Sequence, residues 1–402
     1  MSIAAASDFS RIRAVLPDIQ AALRDNGLDG WLLYDLHARN GVSASLLGLG
    51  DLTRRYFVLL PAEGTPIAVT HGIEQGPWEA WPWDRVDYVS WKSLDERLVA
   101  LLAGRPRVAM EYSGRDAVPA CDLVPAGIIE LVRSAGGDPQ FSGDLISRFH
   151  SRWTGSQLAS HRRAAQALAE TARKMFEAIA SDLSAGRKVT EGIVTDRVKA
   201  ELAACGCATG ADCIVATGLN AANPHYGPIN GGATFSAGDV ILLDLWAQES
   251  PDMTVADQTW MACMGAEVPP RAAELFGIVC AARDAAIEFL RTAWSEGRQV
   301  QGYEVDDVTR GVIRDAGYAE WFIHRTGHSI DTATHGMGPN IDNLETHETR
   351  ILIPGVAFSI EPGIYIAGEL GVRTEINIYM GESGPEVTPV VIQSGMATFP
   401  GI

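Results

Sequence analysis

The sequence has few cysteines, and their arrangement excludes two classes of protein. The 402 residues include six cysteines, none of them in a Cys-x-x-Cys pair. A secreted disulfide scaffold is denser in cysteine, and a structural zinc site needs paired ligands. We therefore expect reduced thiols, as is usual for a cytoplasmic protein.

Long apolar runs are also missing. No stretch of about 18 consecutive apolar residues occurs, so the sequence predicts no membrane-spanning helix. The N-terminal residues do not combine a basic start with a long apolar segment, so no secretory signal is predicted. We expect a soluble, cytoplasmic protein without a membrane partner.

Positive charge is scarce. Lysine and arginine total 32 against 50 aspartates and glutamates, which gives a net charge of −18. Such a surface repels phosphate groups, so a nucleic-acid partner is not expected. Apolar residues make up 47% of the chain, enough for a sizeable core, and the length suggests two or three domains.

The first part of the chain has the pattern of a mixed α/β domain. Apolar residues at helical spacing predict helices over 9–26 and 124–134. Short apolar runs predict strands over 31–34, 56–60, 67–70 and 108–110. We expect this domain to end in a loop over 136–143, with the boundary after residue 153.

The second part has longer helices, and its strands fall in separate runs. Helices are predicted over 156–183, with Ser156 as the N-cap, and over 190–203, 271–294 and 305–316. Strands are predicted over 240–243, 259–264, 357–360 and 375–380. Separate runs of helices and strands favour an α+β domain over 154–402.

Acidic residues interrupt or end the predicted strands of this second domain. Asp244 ends one strand and Asp257 precedes the next, while Glu361 and Glu375 lie in apolar, strand-like sequence. A carboxylate buried there must be paired, hydrogen-bonded or bound to metal. Together with a nearby histidine, four carboxylates are too many for one ion but suit two divalent cations that share ligands.

The second domain resembles the pita-bread metallopeptidases, which include methionine aminopeptidases, Xaa-Pro aminopeptidases and prolidases. The segments Ser359-Ile-Glu-Pro-Gly-Ile-Tyr365 and Val372-Arg-Thr-Glu375 carry the resemblance. The family's ligand order, Asp, Asp, His, Glu, Glu, matches Asp244, Asp257, His328, Glu361 and Glu375. Residues 9 to about 150 are similar to the creatinase-type N-terminal domain of the proline-directed branch. The implied architecture is a creatinase-like domain over 1–153 and a pita-bread catalytic domain over 154–402.

The resemblance also implies a role for each ligand. Asp257 and Glu375 would bridge two divalent ions, with Mn²⁺ favoured and Co²⁺ or Zn²⁺ as alternatives. Asp244 would bind one ion, and His328 and Glu361 the other. A hydroxide bridging the metals would attack the scissile carbonyl, and Glu361 would carry its proton to the leaving nitrogen.

Three further histidines match positions near the substrate in the family. His225 would contact substrate near the scissile bond. His335 would stabilise the developing oxyanion, a contribution of a few kcal/mol for a well-placed donor. His324 matches a pocket histidine of the proline-directed members and is predicted to bind substrate.

Two departures from the family pattern concern the substrate contacts. The segment over 245–256 is predicted to be an enlarged loop, and it lacks the usual tyrosine. Prolidases hold the substrate's C-terminal carboxylate with an arginine upstream of the first glutamate motif. This sequence has His347 near that position, with Arg350 three residues later, so either is a candidate for this contact.

The resemblance implies a peptidase that acts as a homodimer on small peptides. An Xaa-Pro dipeptidase is favoured, because the chain is short and the 345–350 segment offers a carboxylate-binding group. An Xaa-Pro aminopeptidase acting on longer peptides is the first alternative, and a catalytically silent scaffold with the same fold is the second. The N-terminal domain argues against a methionine aminopeptidase, and the full ligand set argues against creatinase, which works without metal.

Overall fold

The computed structural model describes residues 7–50, 52–210 and 213–402. The chain divides into two compact units, Met1–His150 and Ser151–Ile402. The sequence placed this boundary after residue 153. No helix in the described residues is both long and apolar enough to cross a lipid bilayer.

The first unit is an α/β domain built on a six-stranded mixed sheet. Its described helices are α1 Ser10–Asp25, α2 Gly41–Leu47, α3 Trp91–Leu102, α4 Ala126–Ser134 and α5 Gly143–Phe149. Its strands are β1 Gly30–Asp35, β2 Tyr56–Pro61, β3 Ile67–His71, β4 Asp84–Tyr88, β5 Arg107–Met110 and β6 Asp138–Phe141. The strand order is β4-β3-β2-β1-β5-β6, in which β1, β2 and β3 are antiparallel neighbours.

One expectation for this unit was wrong. The segment 136–143 was predicted to be a loop, but β6 occupies the middle half of it and pairs in parallel with β5. β6 contains a proline and has little apolar character, so its pairing depends on the tertiary position beside β5 rather than on a local pattern.

The second unit contains four long helices and three small sheets in its described residues. The helices are α6 Gly155–Ser184, α7 Glu191–Ala204, α8 Pro270–Ser295 and α9 Gly302–Asp315. The strands are β7 Ile214–Thr217, β8 Val240–Ala247, β9 Ala256–Cys263, β10 Ser329–Ile330, β11 Ala357–Ile360, β12 Gly363–Ile366, β13 Leu370–Arg373, β14 Ile376–Gly381, β15 Gly384–Thr388 and β16 Ala397–Thr398. The sheets have the orders β16-β9-β8-β7, β10-β11-β14-β15 and β12-β13.

The N-cap of helix α6 lies two residues earlier than the sequence suggested. Its N-cap is Thr154, whose side chain accepts from the Gln157 backbone N–H at 3.2 Å, so the prediction of Ser156 as the cap was wrong. A capping side chain of this kind stabilises a helix by about 1 kcal/mol. The buried face of α6 then packs on β8 and β9, and Leu168, Ile179 and Leu243 belong to one buried apolar cluster.

The loop between the two aspartates is also shorter than predicted. β8 extends to Ala247 and β9 begins at Ala256, so only 248–255 lies outside the strands. The prediction of an enlarged loop over 245–256 was therefore wrong at both ends. The cause is that Leu245 and Ala247 are buried and pair across to β9, which a polar flanking sequence does not reveal.

Candidate metal centre

The two aspartates lie on one face of the β8–β9 pair. In this antiparallel register Asp244 is directly opposite Thr259, and Asp257 lies two residues before Thr259 on the same strand. Because side chains alternate along a strand, Asp257, Thr259 and Asp244 share a face. Asp257 is held there by Asn377 of β14, whose side chain accepts from the Asp257 N–H and donates to its carbonyl.

The other three predicted ligands lie at one end of the β10–β11–β14 sheet. Ser329 pairs with Phe358 and Ile360 pairs with Ile376, so the preceding His328 and the flanking Glu361 and Glu375 lie at the same end.

Gly327 permits this approach of the two strands. A Cβ at that position would overlap the backbone carbonyl of Ser359, so a side chain there would push the strand that carries His328 away from β11.

All five predicted ligands line a single cavity. Its volume is about 380 Å³, and both sheets contribute to its wall. Asp257, His328 and Glu375 each offer a ligand atom within 4.8 Å of the others. His328 Nε2 is also 3.4 Å from Glu361 Oε1 and 3.6 Å from Asp257 Oδ2.

The orientation of His328 leaves a lone pair for a cation. Its Nδ1 is 3.2 Å from the Ser329 carbonyl, which can only accept, so Nδ1 is the donor. Nε2 then carries the lone pair on the side of the carboxylates. Burial, with a smaller contribution from the charge of Arg325, lowers the pKa of His328 to about 4, so the ring is neutral at neutral pH.

The buried carboxylates repel one another. Burial and the neighbouring carboxylates raise the pKa of Asp257 and of Glu375 well above their ordinary values. Burial also raises the pKa of Asp244, against the opposing effect of Arg373. Asp257 Oδ1 and Glu375 Oε1 are buried and have no hydrogen-bond partner in the described residues. Unpartnered carboxylate oxygens beside a neutral imidazole nitrogen fit divalent cations, which would neutralise this cluster.

Hydrogen bonds from Arg373 and Thr259 orient the carboxylates of Asp244 and Glu375. The Arg373 guanidinium donates to Asp244 through Nη2 and to Thr259 Oγ1 through Nε at 2.8 Å. Thr259 in turn donates to Glu375 Oε2 at 2.9 Å. These contacts orient two of the ligands and leave Glu375 Oε1 without a hydrogen-bond partner in the described residues. Hydrogen bonds from neighbouring side chains commonly orient metal ligands in this way.

Comparison with known proteins identifies the family. Residues 159–382, more than half of the chain, match the family model described as metallopeptidase family M24. The chain belongs to this family. It is 28% identical to an Xaa-Pro dipeptidase from Lactobacillus delbrueckii subsp. lactis, over 90% of this chain and 92% of that protein. It is also 28% identical to a probable dipeptidase PepE from Mycobacterium bovis, over 90% of each chain.

A solved structure agrees with this assignment at the level of the fold. The crystal structure of dipeptidase PepE from Mycobacterium ulcerans superposes with a TM-score of 0.73 at 24% identity, covering 98% of this chain and 100% of that one. The expected architecture, a creatinase-type N-terminal domain followed by an M24 pita-bread domain, is confirmed.

The three histidines predicted near the substrate also line the M24 cavity. The ring of His335 lies 4.3 Å from that of His328, and burial lowers the pKa of His335 to about 4. His324 is held on both ring nitrogens, by the Arg325 carbonyl at 2.7 Å and by the Tyr365 hydroxyl at 2.9 Å. His225 is exposed and lies on the segment between β7 and β8.

His347 and Arg350 are not brought to the M24 cavity, which corrects the prediction that they bind the substrate carboxylate. Arg350 is 3% exposed and donates to both oxygens of Glu348 and to the carbonyls of Met337 and Gly338. His347 is exposed, contacts the Tyr303 ring and bonds Asn343 at 2.8 Å. A buried arginine paired with a carboxylate has no donor to spare for a substrate.

Two residues of the M24 domain that line or support the cavity were missed by sequence reasoning. Arg325 lines the cavity, and its position between His324 and His328 was an available signal. Glu191 is fully buried, and its carboxylate accepts from four donors of the segment that carries His225. An acidic residue in the first turn of a helix has an ordinary explanation, so nothing in the sequence marked Glu191.

Proposed function

We propose that this M24 protein is a dinuclear metal-dependent exopeptidase that hydrolyses Xaa-Pro dipeptides. The observation that carries the proposal is the convergence of five ligand-type side chains on one cavity. Two buried carboxylate oxygens of this set have no hydrogen-bond partner among the described residues. The named Xaa-Pro dipeptidase relative supports the choice of substrate.

The residues of the cavity divide into those for two cations and those for the substrate. Asp257 and Glu375 would be shared ligands, Asp244 would complete one site, and His328 with Glu361 would complete the other. We favour Mn²⁺. Co²⁺ and Zn²⁺ are kept as alternatives, because all three ions accept carboxylate and imidazole ligands. When bound, two divalent cations would polarise the scissile carbonyl and lower the pKa of a shared water.

Glu361 is proposed as the proton carrier. Its Oε1 accepts from Ser359 Oγ at 3.0 Å, and its backbone N–H donates to the Thr326 carbonyl at 2.7 Å, so the carboxylate is held at the cavity wall. It would take a proton from the attacking water as the C–O bond forms. The same proton would pass to the proline nitrogen as the C–N bond breaks.

Three histidines are proposed to position the substrate. His335, beside His328, would donate to the carbonyl oxygen as negative charge develops on it. His225 would contact the substrate near the scissile bond. His324 would form part of the pocket wall, since both of its ring nitrogens are already occupied within the chain.

A homodimer in the cytoplasm completes the proposal, and it rests on the resemblance to the proline-directed branch. Two alternatives are kept. An Xaa-Pro aminopeptidase would use the same metal chemistry in a cavity open to longer peptides, and a silent scaffold would retain the fold without turnover.

The test is hydrolysis of Ala-Pro and of Ala-Pro-Ala by metal-stripped protein reloaded with Mn²⁺. We expect release of proline from Ala-Pro only in the presence of metal, and little cleavage of the tripeptide. Glu361→Gln should lower kcat by at least about 100-fold, because it removes the proton carrier without changing the shape of the side chain. Glu382→Gln, at a carboxylate that is 79% exposed, is the matched control and should leave kcat unchanged.

Each outcome separates the alternatives. Preferred cleavage of Ala-Pro-Ala would replace the dipeptidase by an aminopeptidase. Absence of metal-dependent turnover on both peptides would contradict the proline-directed function and favour the scaffold.

A further inference from the structure

We propose that the first unit binds a phosphate monoester with an aromatic organic group, in a cavity at one edge of its six-stranded sheet. The cavity has a volume of about 330 Å³, at the small end of the range for small-molecule sites. All of its described lining residues belong to this unit, whereas the metal centre lies in the second unit. The inference is therefore independent of the proposed peptidase function.

The strand order brings the ends of four strands to this cavity. β1, β3 and β4 end there, and β2 begins there because it is antiparallel to β1 and β3. Phe57 pairs with Val69, so Arg55 and His71, each two residues closer to this edge, lie opposite one another. His71 in turn pairs with Tyr88. Helix α3 begins three residues after β4 ends, and its N-terminal residues also line the cavity.

The cavity is basic, although the chain has a net charge of −18. Two arginines and a histidine line it, and none of its described lining residues is acidic. Glu74 lies on the adjoining segment, where its carboxylate accepts from the backbone N–H groups of Thr53 and Arg54 at 2.7 and 3.0 Å. The cavity therefore attracts a negatively charged ligand that most of the surface repels.

The guanidinium of Arg55 is uncommitted. Its side chain lines the cavity and is partly buried, and it makes no hydrogen bond or ion pair with any residue that the structure describes. Its backbone is held, because the Tyr88 hydroxyl donates to the Arg55 carbonyl at 2.8 Å. An arginine on a fixed backbone loses little freedom on binding, and its fork donates to two oxygens of an anion in parallel.

Tyr34 brings a second uncommitted donor to the cavity. Its side chain is only 5% exposed, and its ring lies 5.1 Å from that of Phe57. Tyr34 lines the cavity, and its hydroxyl has no hydrogen-bond partner in the described part of the chain. A buried tyrosine hydroxyl usually has a partner, so this one indicates an acceptor that comes from a ligand.

His71 and helix α3 supply further donors. Nδ1 of His71 accepts from the Ile73 N–H at 3.2 Å, so Nε2 of the neutral ring carries the proton and can donate. Ser90 caps α3, and the N–H groups of Trp91 and Lys92 in its first turn have no acceptor among the described residues. The N-terminus of this 12-residue helix thus adds two N–H groups that favour an anion.

The number of donors indicates the kind of anion. The Arg55 fork, the Tyr34 hydroxyl, the His71 ring and the two N–H groups of α3 offer about six directed donors, against about four acceptor sites on a carboxylate. A phosphate monoester has three strong acceptor oxygens and a charge close to −2. It therefore uses these donors more completely than a carboxylate does.

The rim of the cavity is apolar and suits the organic group of the ester. Leu36 and Val89 contribute to it, and Val89 is 73% exposed. Trp91 is 66% exposed, with Lys92 Nζ over its ring at 5.5 Å. The other face of the indole can stack on a flat heterocycle, as aromatic side chains do with nucleic-acid bases. A nucleoside monophosphate such as AMP is accordingly the probe.

The experiment is calorimetric titration of the full-length protein, loaded with Mn²⁺ and free of excess metal, with AMP, ribose 5-phosphate and inorganic phosphate. We expect saturable binding, with AMP the tightest. Arg55→Gln should weaken all three by about 10- to 100-fold, because it removes a charged fork, and Tyr34→Phe should weaken them by about tenfold. Trp91→Ala should weaken AMP alone.

Controls locate the binding. Arg13→Gln removes an exposed arginine of α1 and should leave every affinity unchanged. The melting temperature of each variant should match that of the wild type. If Arg55→Gln melts at a lower temperature, Tyr34→Phe and Trp91→Ala decide, since both leave the charge of the cavity intact; wild-type affinity for AMP in both would overturn the inference.

Two further outcomes would also overturn it. Absence of saturable binding to the wild type would show that the cavity takes none of these anions. Equal affinities in the wild type and in Arg55→Gln would assign the binding to another part of the protein, such as the metal centre. A comparison of phenyl phosphate with benzoate tests the kind of anion. Phenyl phosphate should bind at least about tenfold more tightly, and the reverse order would contradict a phosphate site.

Discussion

At the scale of single residues, His161 shows how the chain keeps a titratable group neutral. It is fully buried on α6, its Nδ1 donates to the Val255 carbonyl at 2.8 Å, and its Nε2 lies 2.7 Å from Thr388 Oγ1. Trp153 packs beside the ring at 4.7 Å. Burial lowers the pKa of His161 from 6.5 to about 4, because the charged ring would lose its hydration.

This shift predicts a loss of stability in mild acid. Between about pH 6.5 and 4 the unfolded chain binds a proton at His161 that the folded chain does not, so the free energy of unfolding falls as pH falls. The contribution is about 1.4 kcal/mol per pH unit across that window. Denaturant unfolding at several pH values should show a smaller slope for His161→Gln than for the wild type. Equal slopes would contradict the assignment.

At the scale of elements, Glu191 connects helix α7 to the segment that carries His225. Its carboxylate accepts from the backbone N–H groups of Thr217 and Ala233 at 2.9 and 2.7 Å. It also accepts from the Asn220 side chain and from the Tyr226 hydroxyl, at 2.9 and 2.6 Å. Four donors drawn from both ends of 217–233 therefore converge on one buried group, which fixes that segment against α7.

We expect Glu191→Gln to lower kcat more than it raises KM. The amide would present N–H groups to donors that now face an oxygen, at a cost of about 1–3 kcal/mol. The segment would loosen, and His225 would lose its position. Hydrogen exchange should increase within 217–233, and kcat should fall by about tenfold or more.

Glu201→Gln on the same helix is the matched control for this prediction. Glu201 pairs with Lys174, which is 43% exposed, and surface pairs contribute little to stability. It should leave both kcat and hydrogen exchange unchanged. Similar effects in the two variants would show that Glu191 acts only on the general stability of α7.

At the scale of the whole molecule, the long periodic elements were predictable and the tertiary pairings were not. Helix α6 and strand β8 carry patterns that are read locally, and both were predicted. The short strand β16 forms only because it pairs with the distant strand β9, so no local pattern predicts it. The order of the five ligands was likewise readable, since the motifs are contiguous in the sequence.

The different surroundings of two arginines near the cavity were not predictable for the same reason. Arg350 and Arg325 are both arginines close to recognisable motifs. What distinguishes them is that Glu348 turns back onto Arg350, whereas the side chain of Arg325 projects into the cavity. That difference is a property of the folded chain and has no counterpart in residue type or spacing.

The cavity also predicts how metal removal affects the folded protein. The buried oxygens Asp257 Oδ1 and Glu375 Oε1 are unpartnered in the described residues, so without cations the neighbouring carboxylates repel one another. A ligand that binds only the folded state stabilises it by about 2.7 kcal/mol at 100 times its Kd. Chelation at neutral pH should therefore lower the melting temperature, and Mn²⁺ should restore it.

The double variant Asp257→Asn/Glu375→Gln distinguishes this effect from general ion binding. It removes two of the repelling charges, so its metal-free form should melt at a higher temperature than the metal-free wild type. It also removes both shared ligands, so Mn²⁺ should no longer raise its melting temperature. A variant that still responds to Mn²⁺ like the wild type would place the metal elsewhere. One that is less stable than the metal-free wild type would show that these carboxylates do not repel one another in the folded chain.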